Sequence, residues 1–343
     1  MCVLPLWGSS EHVVQTKPSP LTVVVTGASG YIGSAFVRYL LQQGRYVLRL
    51  VTHSDPDRTL VGNDVSTYLV KDFCEASQWE EVLRGADIVV HLAGRAHMLK
   101  ERASESAQQY YQPNVQATAV LGEMALKHGV GRFVFVSSVG VNGNRTPVNA
   151  PFRESDNPHP HNAYAHSKLA AEQKLLYLAK SGRMEVVIVR PPLVYGVDAP
   201  GNFGLLKRAV LRSWPLPLGA IDNRRSLVAL DNLVDFLAIC MTHPNAANQT
   251  FLVSDGEDIS TSGLIREMSR AAGVSCRLLP VPIWMLGVVC VFAGKARTIN
   301  GLCDNLQVDI SKARSMLGWS SLVTPIEGVR RAMLGVRNNE ANR

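Results

Sequence analysis

Tyr164 and Lys168 stand four residues apart in "NAYAHSKLAAEQKLLYLAKSG", a segment with helical character from Ala163 that Gly182 closes. Residues at that spacing share one face of a helix. A phenol with an ordinary pKa of about 10 is a poor base at neutral pH. A neighbouring ammonium favours the phenolate, so the spacing predicts that Lys168 draws the Tyr164 pKa down. Tyr164 could then trade a proton with a sugar or alcohol oxygen, and Ser138 could hydrogen-bond the same oxygen and hold it in place. Taken alone, such a pair more often decorates a surface helix. The elements that would position it therefore decide the reading.

The first of these is "VVVTGASGYIGSAFVRYLLQQGRYV" from Val23. Val23 to Thr26 is a short β-branched run that suits a strand buried on both faces, and Ile32, Phe36, Val37, Leu40 and Leu41 form a helical stripe. A tight loop joins them. Gly27 suits a positive φ, Gly30 lets a ligand approach the backbone, and Gly33 lets the helix lie close to the strand. The helix N-terminus then offers N–H groups to a diphosphate. The spacing GxxGxxG is one residue longer than GxGxxG, so the strand, loop and helix context carries the reading.

Strand-like runs follow at "YVLRLVT", "DIVVHLAG", "RFVFVSS" and "EVVIVRPP", with helical stretches between them. That alternation predicts an α/β fold with a doubly wound parallel sheet. Ligands of such sheets lie at the carboxyl ends of the strands, which places residues 27–33, 92–94, 137–138 and 190–192 on one rim. Counting the run from Val23 as the first, Ser138 ends the fourth strand.

With 343 residues and 46% hydrophobic content, the chain can bury a large core. A net charge of +7 without a dense Lys/Arg run suits an anionic small ligand and gives no support to a nucleic-acid partner. Cysteines at 2, 74, 240, 276, 290 and 303 form no CxxC pair, which predicts reduced thiols in a cytoplasmic protein and neither a disulfide frame nor a zinc site. His159, His161 and His166 cluster without carboxylate spacing for a metal. Asp304 and Asp309 could touch substrate, although such residues more often cap helices. Residues 1–20 lack a signal-peptide pattern and read as a loose extension. "LLPVPIWMLGVVCVFAG" is the most apolar stretch, but Pro280 and Pro282 break it, so a buried or interface helix is expected and no transmembrane segment.

"TGASGYIGS", "VVHLAG", "FVFVSSVGVNG", "YAHSK" and "RPPLVYG", in this order, resemble the extended short-chain dehydrogenase/reductases, the sugar-nucleotide epimerase/dehydratase family, over residues 21–319. The resemblance implies a Rossmann-like NAD(P)-binding domain over 21–195 and a smaller substrate-binding lobe over 196–343, with segments near 226–255 returning to the first domain. It implies that Gly27, Gly30, Tyr31, Ile32 and Gly33 hold the cofactor diphosphate. Asp72 and Phe73 would meet the adenine, and Leu92, Ala93 and Gly94 the ribose. Pro191 to Val194 would line the nicotinamide. Ser138, Tyr164 and Lys168 would be catalytic, with Lys168 also on the nicotinamide ribose. Asn202, Phe203, Arg224 and Arg225 would hold a UDP-sugar, the arginines as a diphosphate clamp. Relatives also suggest a homodimer through helices over residues 115–128 and 164–180.

Eighteen residues beyond Gly33 lie Val51, Thr52 and His53, and no carboxylate stands there until Asp55. With Arg49 and Arg58 nearby, a 2′-phosphate could be tolerated, so NADP(H) is expected over NAD. "INGLCDNLQVDISK" replaces the Arg-x-x-Asp element of the epimerases that the chain resembles. The expected reaction is therefore C4 ketone reduction of a UDP-2-acetamido-2,6-dideoxy-4-hexulose, in O-antigen or lipopolysaccharide assembly. The alternative is a UDP-glucose or UDP-N-acetylhexosamine 4-epimerase with tightly held NAD. A third reading, a cofactor-sensing protein without turnover, sits poorly with the presence of both Tyr164 and Lys168.

Overall fold

The computed structural model describes residues 20–53, 64–95, 108–282, 284–286 and 301–340. In chain order its first half contains β1 (Leu21–Thr26), α1 (Tyr31–Gln43), β2 (Tyr46–Thr52), β3 (Val65–Leu69), α2 (Glu80–Leu83), β4 (Ile88–His91), α3 (Gln108–Tyr110), α4 (Ala117–Lys127), β5 (Arg132–Val136), α5 (Ala163–Ala179) and β6 (Glu185–Arg190). The second half contains β7 (Leu193–Tyr195), α6 (Gly201–Leu211), β8 (Arg225–Ala229), α7 (Leu230–Thr242), β9 (Thr250–Leu252), β10 (Asp258–Ile259), α8 (Thr261–Ala272), α9 (Ser311–Leu317) and α10 (Pro325–Glu340).

Seven strands form a parallel sheet in the order β3-β2-β1-β4-β5-β6-β9. The central strands are runs of Val, Ile and Phe because both faces are covered. On one face α1 and α7 bring Phe36, Leu40, Phe236 and Leu237 against Val23, Val25 and Val90. On the other, α4 and α5 bring Leu121, Ala171 and Leu175 against Val24, Val89 and Phe133. Strand order reverses between β1 and β4, which opens a crevice at their carboxyl ends. Because β3 precedes β4, Ser138 follows the fifth strand and not the fourth.

A smaller sheet of order β10-β8-β7 carries the second lobe. Its core joins Tyr195, Phe203, Val210, Leu264, Met268, Val329 and Met333 from β7, α6, α8 and α10. The chain returns to the large sheet through β9, which pairs with β6 at its edge. On the outer side of β9, Glu154 Oε1 accepts from the Leu252 N–H at 2.8 Å, and Lys312 Nζ donates to the Thr250 carbonyl at 2.9 Å.

Among the described residues, no helix is long and apolar enough to cross a membrane. Within "LLPVPIWMLGVVCVFAG", Leu278 pairs as an isolated bridge with Leu216, and residues 283 and 287–294 lie outside the described set, as do Arg58 and most of the N-terminal extension.

Candidate active site

The turn after β1 is built as its glycines require. Gly27 has φ +69°, and a Cβ there would lie 2.7 Å from the Ala93 nitrogen. A Cβ on Gly33 would stand 2.0 Å from the Gly27 carbonyl oxygen, so only glycine lets α1 start this close to the loop. The Gly30 N–H donates to the same carbonyl at 2.9 Å. Gly30 itself is the residue before α1 and supplies no side-chain cap, leaving the first N–H groups of the helix open to an anion. The Tyr31 ring turns into the second lobe beneath Gly196, where burial and then Asp198 and Asp231 push its pKa up. Only its backbone can face a diphosphate. Ile32 packs its side chain on the core.

Residues 92–94 leave β4 beside this turn, with Ala93 N–H donating to Thr26 Oγ1 at 3.3 Å. A Cβ on Gly94 would come within 3.2 Å of Asn114 Oδ1 and 3.3 Å of Lys168 Nζ. The glycine loop, the end of β4 and the amine of Lys168 are thus one continuous rim. Thr52 Oγ1, at the carboxyl end of β2, is buried without a partner. These closely packed, glycine-lined walls and the open helix N-terminus fit a dinucleotide along the strand ends. Asp72 and Phe73 follow β3 on the same edge. The Asp72 carboxylate accepts from the Cys74 N–H at 2.9 Å, and the Phe73 ring sits edge-on to His53 and Trp79.

Asn114 was not singled out by sequence reasoning, and the structure brings it here. A π-helical turn, Tyr111–Gln116, precedes α4 because Pro113 has no N–H for a regular ladder. It turns the Asn114 amide inward, where it donates to the Arg95 carbonyl at 3.0 Å and to Ser167 Oγ at 2.9 Å.

The Ser138, Tyr164 and Lys168 side chains converge where β5 meets α5. Ser138 begins a 3₁₀ turn, Val139–Val141, and its Oγ accepts from the Gly140 N–H at 3.1 Å. Asn162 caps α5 by accepting from the Ala165 N–H at 2.8 Å, which fixes Tyr164 in the first turn. Ser138 hydrogen-bonds the Tyr164 phenol. Burial pushes that phenol up to about 12, opposed by Ser138, so the expected lowering by Lys168 is corrected: Tyr164 is a protonated acid at neutral pH. The reason is geometric. Lys168 Nζ donates to the Val136 carbonyl at 3.0 Å and lies 4.7 Å from the Phe135 ring centroid, engaged with the end of β5. Burial pulls its own pKa down to about 8, with the Glu172 carboxylate opposing.

Glu172, one helical turn beyond Lys168, anchors this arrangement. It accepts from Ser137 Oγ at 2.5 Å and from Arg190 Nε and Nη2 at 2.9 and 2.6 Å, while Arg190 Nη1 donates to Asn142 Oδ1 at 3.0 Å. Glu172 and Arg190 are 1% and 5% exposed. One carboxylate therefore ties α5 to the ends of β5 and β6. Pro191 follows directly and accepts from the Val139 N–H at 3.0 Å. Val194 lies in β7 and packs partly on the main core.

Beneath the rim, His91 is fully buried and stacks on Phe135. Thr118 Oγ1 donates to the Asn114 carbonyl, so it accepts from His91 Nε2–H at 2.9 Å, and His91 Nδ1 accepts from Thr26 Oγ1 at 2.6 Å. Burial and then the Lys168 charge push this imidazole down to about 3.

The four residues expected on the substrate side separate. Phe203 is buried against Tyr195 with ring centroids 5.4 Å apart, so its side chain belongs to the second core, while Asn202 beside it is exposed. Arg224 is exposed and donates to Asn149 Oδ1. Arg225 is largely buried and donates to the Asp304 carbonyl at 3.0 Å, so the adjacent arginines do not form one fork. The Asp309 carboxylate accepts from the Ser311 N–H at 2.8 Å at the start of α9 and pairs with Arg153 at 3.2 Å. Arg49, expected beside a 2′-phosphate, instead donates to the Val82 and Arg84 carbonyls, each at 2.8 Å, from the middle of β2.

A doubly wound parallel sheet with a glycine turn at its switch point, and a Ser, Tyr and Lys set on the neighbouring strand end and helix, defines a nicotinamide-dinucleotide enzyme of the extended short-chain type. The chain belongs to the NAD dependent epimerase/dehydratase family, whose profile matches residues 23–254. It is 39% identical to a UDP-glucose 4-epimerase of Vibrio cholerae over 315 residues, 92% of this chain and 95% of that protein. It is 25% identical to the N-acetyl-alpha-D-glucosaminyl-diphospho-ditrans,octacis-undecaprenol 4-epimerase of Escherichia coli O157:H7, over 91% of this chain and 94% of that protein. Its fold matches the crystal structure of a Thermotoga maritima UDP-glucose 4-epimerase with a TM-score of 0.77 at 22% identity, over 93% of this chain and 100% of that one.

Proposed function

We propose that the protein reduces the C4 ketone of a UDP-linked 2-acetamido-2,6-dideoxy-4-hexulose, with Ser138, Tyr164 and Lys168 as its catalytic residues. The observation that carries this reading is the Tyr164 phenol, hydrogen-bonded to Ser138 and one helical turn from the buried Lys168 on the rim. A proton donor of this kind suits an oxygen that gains negative charge. Tyr164 Oη delivers its proton to the C4 oxygen, and Ser138 Oγ–H donates to the same oxygen and fixes its direction. These donors are already oriented, so little reorganisation accompanies the charge. Lys168, with its amine on the Val136 carbonyl beside Gly94, would hold the nicotinamide ribose.

The backbone of Gly27 to Gly33, Ala93, Gly94 and Lys168 would hold the dinucleotide, which supplies hydride exchange when bound. The family and the engagement of Arg49 support NAD(H) over NADP(H). The E. coli relative's name, with its N-acetylglucosaminyl group, supports a 2-acetamido sugar. The V. cholerae relative favours a second reading, 4-epimerisation, in which the ketone is made and reduced in place. The same three side chains would serve, with Tyr164 acting in both directions.

A panel of UDP-sugars and UDP-4-keto sugars, tested with NADH and NADPH by absorbance and product NMR, separates these readings. Stoichiometric consumption of reduced cofactor supports the reductase, and interconversion without added reductant supports the epimerase. Tyr164→Phe lowers turnover by about 10³-fold while cofactor affinity holds. Turnover within about tenfold of wild type would overturn the assignment.

A further inference from the structure

The second lobe carries a surface that neither fold nor chemistry uses. Trp284 and Trp214 are 72% and 53% exposed, with Leu279, Leu205, Met285 and Leu211 exposed along the same two stretches. The stretches are joined through their backbones. Leu216 N–H donates to the Arg277 carbonyl at 2.8 Å, Leu279 N–H to the Leu216 carbonyl at 2.9 Å, and Gly219 N–H to the Leu279 carbonyl at 3.0 Å. Both rest on the lobe's core through Leu216, Leu218, Leu278, Val281 and Leu286, so the remaining large apolar side chains are left toward solvent. Large apolar side chains exposed on two joined stretches in this way mark an interaction site.

Along these two stretches the charge is of one sign. No carboxylate occurs between Asp198 and Asp222 or between Glu267 and Asp304, whereas Arg208, Arg212 and Arg277 are exposed. The Arg212 guanidinium lies 5.4 Å from the Trp214 ring centroid, joining cation and aromatic. Pro215, Pro217, Pro280 and Pro282 also stand in the two stretches, removing backbone N–H groups that would otherwise need water. Tryptophan favours the headgroup level of a bilayer, and arginine beside it meets anionic lipid.

We propose that this face docks on the surface of an anionic phospholipid bilayer, with Trp214, Trp284 and Met285 entering the headgroup layer and Arg212 and Arg277 on the phosphates. A protein partner would more often present charges of both signs, while these two stretches offer cations and apolar groups alone. The docking is independent of the reaction assigned to the rim.

The test is sedimentation of the full chain with phosphatidylglycerol vesicles and with phosphatidylcholine vesicles, at low and high salt. Binding to the anionic vesicles that salt weakens, with a blue shift of tryptophan emission, is the expected result. Arg212→Ala and Arg277→Ala should each weaken it about fivefold. Trp284→Ser should weaken it further without altering sugar-nucleotide turnover. Equal behaviour with both vesicle types, or no sedimentation with either, would overturn the proposal. So would concentration-dependent self-association or capture of a protein that Trp284→Ser abolishes while vesicle binding is absent.

Discussion

Replacing Glu172 by Gln keeps the shape of the side chain and removes the charge that joins α5 to two strand ends. Arg190 then remains 5% exposed with Asn142 as its side-chain acceptor and no carboxylate. Breaking a buried pair by neutralising one partner costs about 3–5 kcal/mol, a large part of the about 5–15 kcal/mol that holds a domain together. Urea unfolding should show a lower midpoint with an unchanged slope. The same substitution acts on Lys168. Side chains at i and i+4 lie about 5–6 Å apart at Cβ, and an opposite charge at such a distance shifts a pKa by about 1 unit or more. Glu172 raises the Lys168 pKa, so its loss lowers the value from about 8 and the alkaline limb of kcat/KM moves toward lower pH. A double variant, Glu172→Gln with Arg190→Met, separates the two effects. Stability should return because no buried charge is left alone, while the limb stays displaced because Glu172 is the charge acting on Lys168. A stability loss under about 1 kcal/mol with an unmoved limb would refute the reasoning.

Gly33→Ala places a Cβ 2.0 Å from the Gly27 oxygen, so the loop must shift; NAD titration should show at least about tenfold weaker binding, and unchanged affinity would contradict the cradle. His91→Gln tests the buried imidazole. Its folded-state pKa is depressed, so the unfolded chain takes up a proton first and stability falls as pH drops from about 6.5 toward about 3. The variant should flatten that acid decline by up to about 1.4 kcal/mol per pH unit, measured by urea unfolding across the window. Identical slopes would show that His91 does not contribute. Raising pH through about 8 should reduce wild-type kcat/KM as Lys168 loses its charge, and a flat profile to pH 10 would disconnect Lys168 from the reaction.

The central strands were legible because each is an unbroken β-branched or aromatic run, as in "VVVT" and "FVFV". β3 was not, since "VSTYL" is an edge strand with most of its side chains exposed, and β9 is only three residues long. The glycine turn and the Ser, Tyr and Lys set were readable from type and spacing. The protonation of Tyr164 was not, because i, i+4 spacing does not reveal that the amine turns to the Val136 carbonyl. Glu172 looks in sequence like any solvated helix glutamate. Its register one turn beyond Lys168, together with Arg190 ending a buried strand, is the signal that could have found it. Arg224 and Arg225, though adjacent, take different environments because Arg224 lies in the exposed segment before β8 while Arg225 opens the strand and reaches the Asp304 carbonyl.

The hydrogen bonds of Glu154 and Lys312 to β9 also bear on how copies of this protein meet. A foreign strand approaching that border finds its donor and acceptor positions taken by a carboxylate and an ammonium, and would have to strip and rehydrate both before it could add a rung. Crowded solutions of the molecule are thereby guarded against growth into ribbons at this margin, and neutralising both side chains should remove that guard.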